Sequence, residues 1–432
     1  MEFTIKNLGE CKINSPLKKR FEANQMEFIS DSRRMIYNVM IDQMNEESMT
    51  QCFELAGPRR CIYHNPGEIT SAIVTCGGLC PGLNDVIRSI VMESYYQYES
   101  KKILGIRYGY NGLNPSNFYY PVELTPDVVR QIHMDGGTML GSSRGGTDDM
   151  NRLVDTLEKL SIKILYAIGG DGTLRGAHKI AEIVKERNLN ISIVGVPKTI
   201  DNDISYIQRS FGFETAYSKA VEAITSAHVE ATGAPWGIGL VKLMGRHSGF
   251  IAANAALAMN DVNYVLVPEI DFDLDGENGL LAHLEDRLRK RQHAVICVAE
   301  GAGQRLIESA GDEHDASGNV KLKDIGLFIK SKISEHFKKR NLEINIKYID
   351  PSYMIRSAPA VPNDSIYCAQ LGQYAVHAGM AGKTDLIIGQ WNNNYTHVPI
   401  ELAISKRKTI NPNSRFWYSV VDSTGQPDSM LN

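Results

Sequence analysis

Residues 162–203 read IKILYAIGGDGTLRGAHKIAEIVKERNLNISIVGVPKTIDND, and the alternation of apolar, glycine-rich and helical stretches within them decides the fold. The apolar run Ile164 to Ile168 stops at Gly169-Gly170-Asp171-Gly172-Thr173, after which Ala177, Ile180, Ala181 and Val184 recur at helical spacing. Strand, glycine turn and helix in that order make a phosphate cradle. Glycines let the backbone approach a polyphosphate where a Cβ would collide, and the amides that open the helix point at the anion. Asp171 stands inside that turn, where a lone carboxylate repels phosphate unless a divalent cation lies between them. It is therefore read as a magnesium ligand.

One βα unit later the run Ile191 to Val196 ends at Pro197-Lys198-Thr199-Ile200-Asp201-Asn202-Asp203. Two carboxylates within three residues, beside a lysine and a threonine, suit general-base chemistry on a hydroxyl aimed at a phosphate. Both loops are expected at the carboxyl edge of neighbouring parallel strands, which is where open α/β sheets bind ligands.

Similar strand ends occur on either side. Ile69 to Thr75 leads into Gly77-Gly78-Leu79-Cys80-Pro81-Gly82, with Pro81 suited to the first turn of a helix. A Gly/Ser loop at 141–146 carries Arg144. The strand Gly237 to Leu243 ends in Met244-Gly245-Arg246-His247, Ala294 to Ala299 ends in Glu300, and Ile344 to Ile349 delivers Tyr353 and Arg356. His247 is read as a hydrogen-bonding spectator. Residues 304–322 read as a polar surface excursion. Helices are expected from Asp31 to Phe53 and near Pro126 to Met134. His377-Ala-Gly-Met-Ala-Gly382-Lys383-Thr384 imitates a P-loop, but it lacks the first glycine and precedes a strand where a P-loop follows one.

Composition narrows the class. The chain has 432 residues, 43% of them apolar and 22% charged, which suits two globular domains. A net charge of −4 gives no general attraction to nucleic acid or to an anionic membrane, so phosphate affinity has to come from local clusters. Seven cysteines with no metal-ligand spacing beyond the one C-x3-C pair, Cys76 and Cys80, fit a reduced interior, and no apolar run approaches a membrane span. A cytoplasmic location is expected.

Taken in order, GGLCPGLN at 77–84, GGDGT at 169–173, PKTIDND at 197–203, MGRHSGF at 244–250, AEGAG at 299–303 and YMIRSAPAVPND at 353–364 resemble the 6-phosphofructokinase family. The likeness is greatest to its long-chain branch, which includes plant and trypanosomatid ATP-dependent enzymes and some pyrophosphate-dependent relatives. It implies an α/β fold of two doubly wound Rossmann-like domains with the active site in the cleft between them, plus an N-terminal extension. The expected division is 1–68 for the extension, 69–212 completed by about 356–400 for the donor domain, 213–355 for the fructose 6-phosphate domain, and 401–432 as a C-terminal segment.

The resemblance also implies roles. Gly77, Arg144, Gly145, Gly170, Asp171, Gly172 and Thr173 would hold ATP, with Mg²⁺ at Asp171. Asp201 would be the base for the sugar 1-hydroxyl, and Asp203 would support the base or the metal by its charge. Thr199 and Arg144 would stabilise the transferring group. Thr199, Ile200, Asp201, Met244, Gly245, Arg246, Glu300, Lys347, Tyr353 and Arg356 would bind fructose 6-phosphate. A homotetramer or homodimer follows by analogy, while effector sites vary by branch and none is read here. Three positions depart from shorter bacterial relatives: Gly237 and Lys347 stand where those have arginines, and Tyr353 where they have histidine.

The phosphoryl donor is indicated twice, in opposite senses. In the family that the chain resembles, an aspartate directly after GGD accompanies pyrophosphate use, because it occupies the space of the nucleotide α-phosphate, and Gly172 would leave that space empty. Lys198 matches the lysine of pyrophosphate enzymes. Steric exclusion is harder to evade than an added flexible cation, so ATP is expected, with a pyrophosphate-dependent phosphotransferase as the alternative. NAD kinases and diacylglycerol kinases share GGDGT but lack PKTIDND and MGR. A Rossmann dehydrogenase is disfavoured because GGLCPG lacks the G-x-G-x-x-G register. A nucleotide-sensing regulator without activity is disfavoured by the intact Asp171, Asp201 and Asp203.

Overall fold

A computed structural model of the chain describes residues 2–40, 50–100, 102–145, 149–307 and 321–432. The chain divides into two units. The first comprises Met1–Thr199, Ile204–Gly212 and Ser357–Arg407; the second comprises Ile200–Asp203, Phe213–Arg356 and Lys408–Asn432. Among the described residues no helix is long and apolar enough to cross a membrane.

The first unit is built on a nine-stranded sheet. Its centre is five parallel strands in the order Leu386–Trp391, Ser192–Pro197, Ile162–Gly169, Thr70–Thr75 and Lys102–Ile106. Thr70–Thr75 and Ser192–Pro197 are buried along their whole length, and Ile162–Gly169 everywhere except Lys163. Strands covered on both faces need such continuous apolar runs. The chain lays down Thr70–Thr75 and then Lys102–Ile106 in one direction, and the three later strands in the other. The reversal falls between Thr70–Thr75 and Ile162–Gly169, and ligands of open α/β sheets bind at such a point.

Antiparallel strands close the sheet at both edges, and one edge differs from expectation. Arg34–Ile36 and Cys52–Leu55 are strands, paired with each other and then with Asn394–Pro399, where a helix from Asp31 to Phe53 was anticipated. The physical reason is aromatic packing: Tyr37 stacks on Trp391 at 4.9 Å between ring centroids, and Phe53 is fully buried beside them. Val39 and Met40, apolar positions within the expected helix, are exposed; residues 41–49 of that stretch lie outside the described residues. Near Pro126 to Met134 the only helical turn is Ile132–Met134, because Val128 and Met134 point to solvent and leave no continuous apolar face. Of the excursion expected at 304–322, residues 308–320 lie outside the described residues. The P-loop imitation is a helix end, Pro362–Met380, followed by the short strand Lys383–Thr384, with Lys383 buried in ion pairs to Glu54 and Asp31.

The second unit has a four-stranded parallel sheet in the order Tyr264–Leu266, His293–Ala299, Gly237–Leu243 and Asn345–Ile349. Successive residues along its strands face opposite layers. Val241, Leu243, Val295, Cys297 and Ala299 pack with helices Phe213–Thr232, Phe250–Met259 and Arg415–Thr424. Ile238, Leu240, Ala294, Ile296 and Val298 pack with helices Leu280–Arg291 and Ile325–Lys339. A sheet covered by helices on both faces is the doubly wound arrangement. Residues after Lys408 are part of this core through Ile410, Trp417 and Val420.

Candidate active site

In the first unit the switch point carries the glycine turns. Gly77, at φ +88°, follows Thr70–Thr75. Its amide donates to Ser143 O at 2.9 Å, and Ser142 Oγ donates to Gly77 O at 2.6 Å. These bonds lay the Gly/Ser loop on the turn, with Arg144 Nη2 3.6 Å from a Cβ built at Gly78. Arg144 and Gly145 are exposed, and Gly145 has φ +77°. Residues 146–148 lie outside the described residues.

The neighbouring strand Ile162–Gly169 runs into helix Asp171–Glu186, with Gly170 at the N-cap. A Cβ at Gly169 would lie 2.2 Å from Thr173 Oγ1, so that close approach requires glycine. A Cβ at Gly172 would meet nothing within 4 Å. Asp171 opens the helix; its Oδ2 accepts a 3.1 Å bond from Arg175 Nε and lies 3.9 Å from Arg407 Nη2. The Thr173 side chain is buried, and its amide lies in the first turn of the helix, among those that can face an anion. Lys198 follows the next strand; it is buried, and its Nζ donates to Gly78 O at 2.8 Å. Thr199 O accepts from Ser210 Oγ at 2.6 Å.

The second unit gathers the acids and arginines. The amide of Glu300 donates to Leu243 O at 2.8 Å and that of Gly301 to Gly245 O at 3.0 Å, which zips together the loops after Gly237–Leu243 and His293–Ala299. A Cβ on Gly301 would come within 1.9 Å of Arg246 O, so glycine is required for that contact. Met244 is buried, and Gly245 has φ +127°. The Asp201 carboxylate accepts from the Arg246 amide. Burial pushes the Asp201 carboxyl above the ordinary range, and the charges of Asp203 and Glu300 push it further; the Arg246 amide and the Arg356 charge oppose them. Ile200 packs on the core of this unit.

Arg356 ends the short helix Ser352–Arg356, which Asp350 starts by accepting from the Ser352 amide while its other oxygen pairs with Lys242 at 2.8 Å. Ile355 anchors that helix in the core, and Tyr353 is 84% exposed. Lys347 is not brought to this group. It sits in mid-strand opposite Gly239, with Nζ 3.4 Å from Glu230 Oε2. Gly237 opens its strand where a Cβ would lie 1.9 Å from Ala231 O, so an arginine there cannot fit this backbone. His247 is exposed.

Four contributors were not foreseen. Arg175 and Arg407 flank Asp171, and Asn202 and Lys408 join beside Asp203. Arg175 was legible as an i,i+4 partner of Asp171, whereas nothing in the sequence links 407–408 to loops some two hundred residues earlier.

Comparison with known proteins agrees with this geometry. The family model described as phosphofructokinase matches residues 70–379. An ATP-dependent 6-phosphofructokinase of Borreliella burgdorferi is 49% identical over 440 residues, covering 100% of this chain and 98% of its own. One from Trypanosoma cruzi is 47% identical over 374 residues, covering 86% and 76%. Among solved structures, a pyrophosphate-dependent phosphofructokinase from Marinobacter aquaeolei superposes with TM-score 0.67 at 17% identity, covering 84% of this chain and 92% of that one. At that identity the likeness speaks for the fold alone. Pichia pastoris phosphofructokinase gives TM-score 0.65 at 20% identity, covering 95% and 45%. With two α/β units, glycine turns at the switch point of the first and paired acids among arginines in the second, the chain belongs to the phosphofructokinase family.

Proposed function

We propose that the chain is an ATP-dependent 6-phosphofructokinase, transferring the γ-phosphate of ATP to the 1-hydroxyl of D-fructose 6-phosphate to give ADP and fructose 1,6-bisphosphate. The observation that carries the choice of donor is Gly172. Nothing lies within 4 Å of a Cβ built there, which leaves room for an α-phosphate beside the first turn of the helix. Lys198 does not oppose this reading, because its ammonium hydrogen-bonds Gly78 O.

In this reading the amides of Gly170 to Thr173 and the Arg144 guanidinium bind the donor phosphates, with Gly77 and Gly145 giving backbone close approach. Asp171 fits a magnesium site of the kind completed by substrate. It is a single partly exposed carboxylate, and among the described residues no group of three or more metal-ligating side chains exists. Mg²⁺ held there would neutralise charge on the β- and γ-phosphates.

Asp201 accepts the proton of the 1-hydroxyl as that oxygen attacks phosphorus; a carboxylate raised toward neutrality is a stronger base than an ordinary one. Asp203 keeps Asp201 basic by its charge. Thr199 and Arg144 face the transferring group, and Ile200, Met244 and Gly245 shape the acceptor loop. Arg246 and Arg356 hold the sugar phosphate and Glu300 the sugar hydroxyls, with Tyr353 at the rim. Lys347, paired with Glu230, is assigned no contact with substrate in its own subunit. A cytoplasmic homotetramer or homodimer completes the proposal, and light scattering reads that assembly.

The deciding experiment measures fructose 1,6-bisphosphate formation from fructose 6-phosphate and Mg²⁺ with either ATP or pyrophosphate. Turnover with ATP and none with pyrophosphate is expected; the opposite result would transfer the chain to the diphosphate-dependent class.

A further inference from the structure

Lys408 spends each of its polar groups on the loops that carry Asp201 and Arg246. Its amide donates to Asp203 O at 2.9 Å. Its Nζ donates to Asn202 Oδ1 at 2.9 Å. Its carbonyl accepts from Ser248 Oγ at 2.7 Å, and Ser248 is fully buried in the loop that begins at Met244. Two residues on, the Ile410 amide donates to Glu269 Oε1 at 2.8 Å, and both Glu269 oxygens accept from the Gly249 amide at 3.0 and 3.1 Å. The stretch 408–410 is therefore tied to the acid loop on one side and twice to the start of helix Phe250–Met259 on the other.

The acid loop needs such a tie. Asn202, between the two aspartates, is buried and has φ +56°, a left-handed conformation that asparagine tolerates when its side chain is held. Lys408 Nζ supplies that hold, and it lies 5.6 Å from the centroid of the Phe250 ring. A displaced Asn202 would carry Asp201 with it, away from the Arg246 amide.

We propose that Lys408 is a positioning residue for the phosphoryl-transfer step, acting through Asn202 to fix the carboxylate of Asp201 against the loop of Arg246. The proposal rests on the kinase reading above. Burial pulls the Lys408 ammonium down to about 7 while the charge of Asp203 opposes the shift.

The test is a double-mutant cycle on the full-length chain with ATP, Mg²⁺ and fructose 6-phosphate. Lys408→Met is expected to lower kcat by roughly 10- to 100-fold, the scale of a small misplacement of a reacting group, with both KM values within about threefold of the parent. Asn202→Gly, which keeps the left-handed backbone and removes the acceptor, is expected to match it. The double variant should be no slower than the worse single variant. Ethylammonium added to Lys408→Ala should recover part of kcat. Independent, multiplicative losses, or a loss confined to KM, would overturn the proposal, and so would an unchanged kcat in Lys408→Met. If Lys408→Met melts below the assay temperature, Asn202→Gly carries the same kcat-selective prediction by itself. Inactivity of the parent with ATP would instead count against the kinase reading.

Discussion

Lys198 Nζ hydrogen-bonds the backbone carbonyl of Gly78 at 2.8 Å, and a Cβ placed on Gly77 would lie 3.2 Å from the same nitrogen. A lysine read from sequence as a sign of pyrophosphate use thus has a task in the apoprotein: it holds the first glycine turn. Donor choice then falls to the space beside Gly172.

Filling that space is the sharpest test of it. Gly172 lies in the first turn of a helix and no atom is within 4 Å of its Cβ position, so Gly172→Asp introduces no clash and places an acid where a helix N-terminus favours one. The melting temperature is expected to hold or rise. The value of kcat/KM for ATP should fall by roughly two orders of magnitude through steric and like-charge exclusion of the α-phosphate, and the ratio of pyrophosphate to ATP turnover should rise. A variant that uses ATP as well as the parent does would show that this space is not where the nucleotide is discriminated.

Replacing the base separates chemistry from binding. Asp201→Asn keeps the side-chain shape and an oxygen for the Arg246 amide, so the loop should stay in place. Steady-state kinetics should show kcat lower by roughly 10²- to 10⁴-fold, the usual worth of general-base catalysis, with KM for fructose 6-phosphate little changed. Retained turnover would remove Asp201 from that role.

The same carboxylate, as the proposed base, is expected to set the pH profile. Because Asp201 must be ionised and its pKa is raised by burial and by Asp203 and Glu300, activity should be lost on acidification well above the ordinary carboxylate range. Asp203→Asn removes a negative neighbour, which makes Asp201 easier to ionise, and the acid limb of kcat against pH should move to lower pH. Glu300→Gln should move it the same way by less. A limb that stays fixed in both variants would belong to another group.

Much of this was legible in the chain. The apolar runs at 69–75, 164–168 and 191–196 read as buried parallel strands, and the glycines after the first two read as turns, where a Cβ at Gly169 would collide with Thr173. What escaped was set by contacts remote in sequence. The edge strands Arg34–Ile36 and Cys52–Leu55 exist because the sheet edge at Asn394–Pro399 and the ring of Trp391 receive them. Asn202, next to Asp201, receives a hydrogen bond from Lys408, and Lys347 is paired with Glu230. No local pattern encodes those partners.

The early strand Cys52–Leu55 also carries a stability switch. Glu54, with 5% of its side chain exposed, accepts from Arg59 Nη2 at 2.8 Å and is bonded to His397 Nδ1 at 2.9 Å, and Lys383 Nζ lies 3.0 Å away. Burial pushes its carboxyl up, but the hydrogen bonds and charges of His397 and Lys383 outweigh that and hold it at about 2, below the ordinary 4.5. A depressed carboxyl contributes stability that is complete above its unfolded value and is lost as pH falls toward its folded one, a difference of about 3 kcal/mol between those limits. Glu54→Gln leaves buried Lys383 and Arg59 with Asp31 but without the Glu54 carboxylate, and should cost roughly 2–3 kcal/mol at neutral pH, less than a buried pair broken outright. Urea unfolding at pH 7, 5 and 3 reads both effects: the parent should lose stability steeply between pH 5 and 3, and the variant, already weakened, should lose less over that interval. Equal losses in the two proteins would mean that the acid sensitivity of this sheet edge comes from a group other than Glu54.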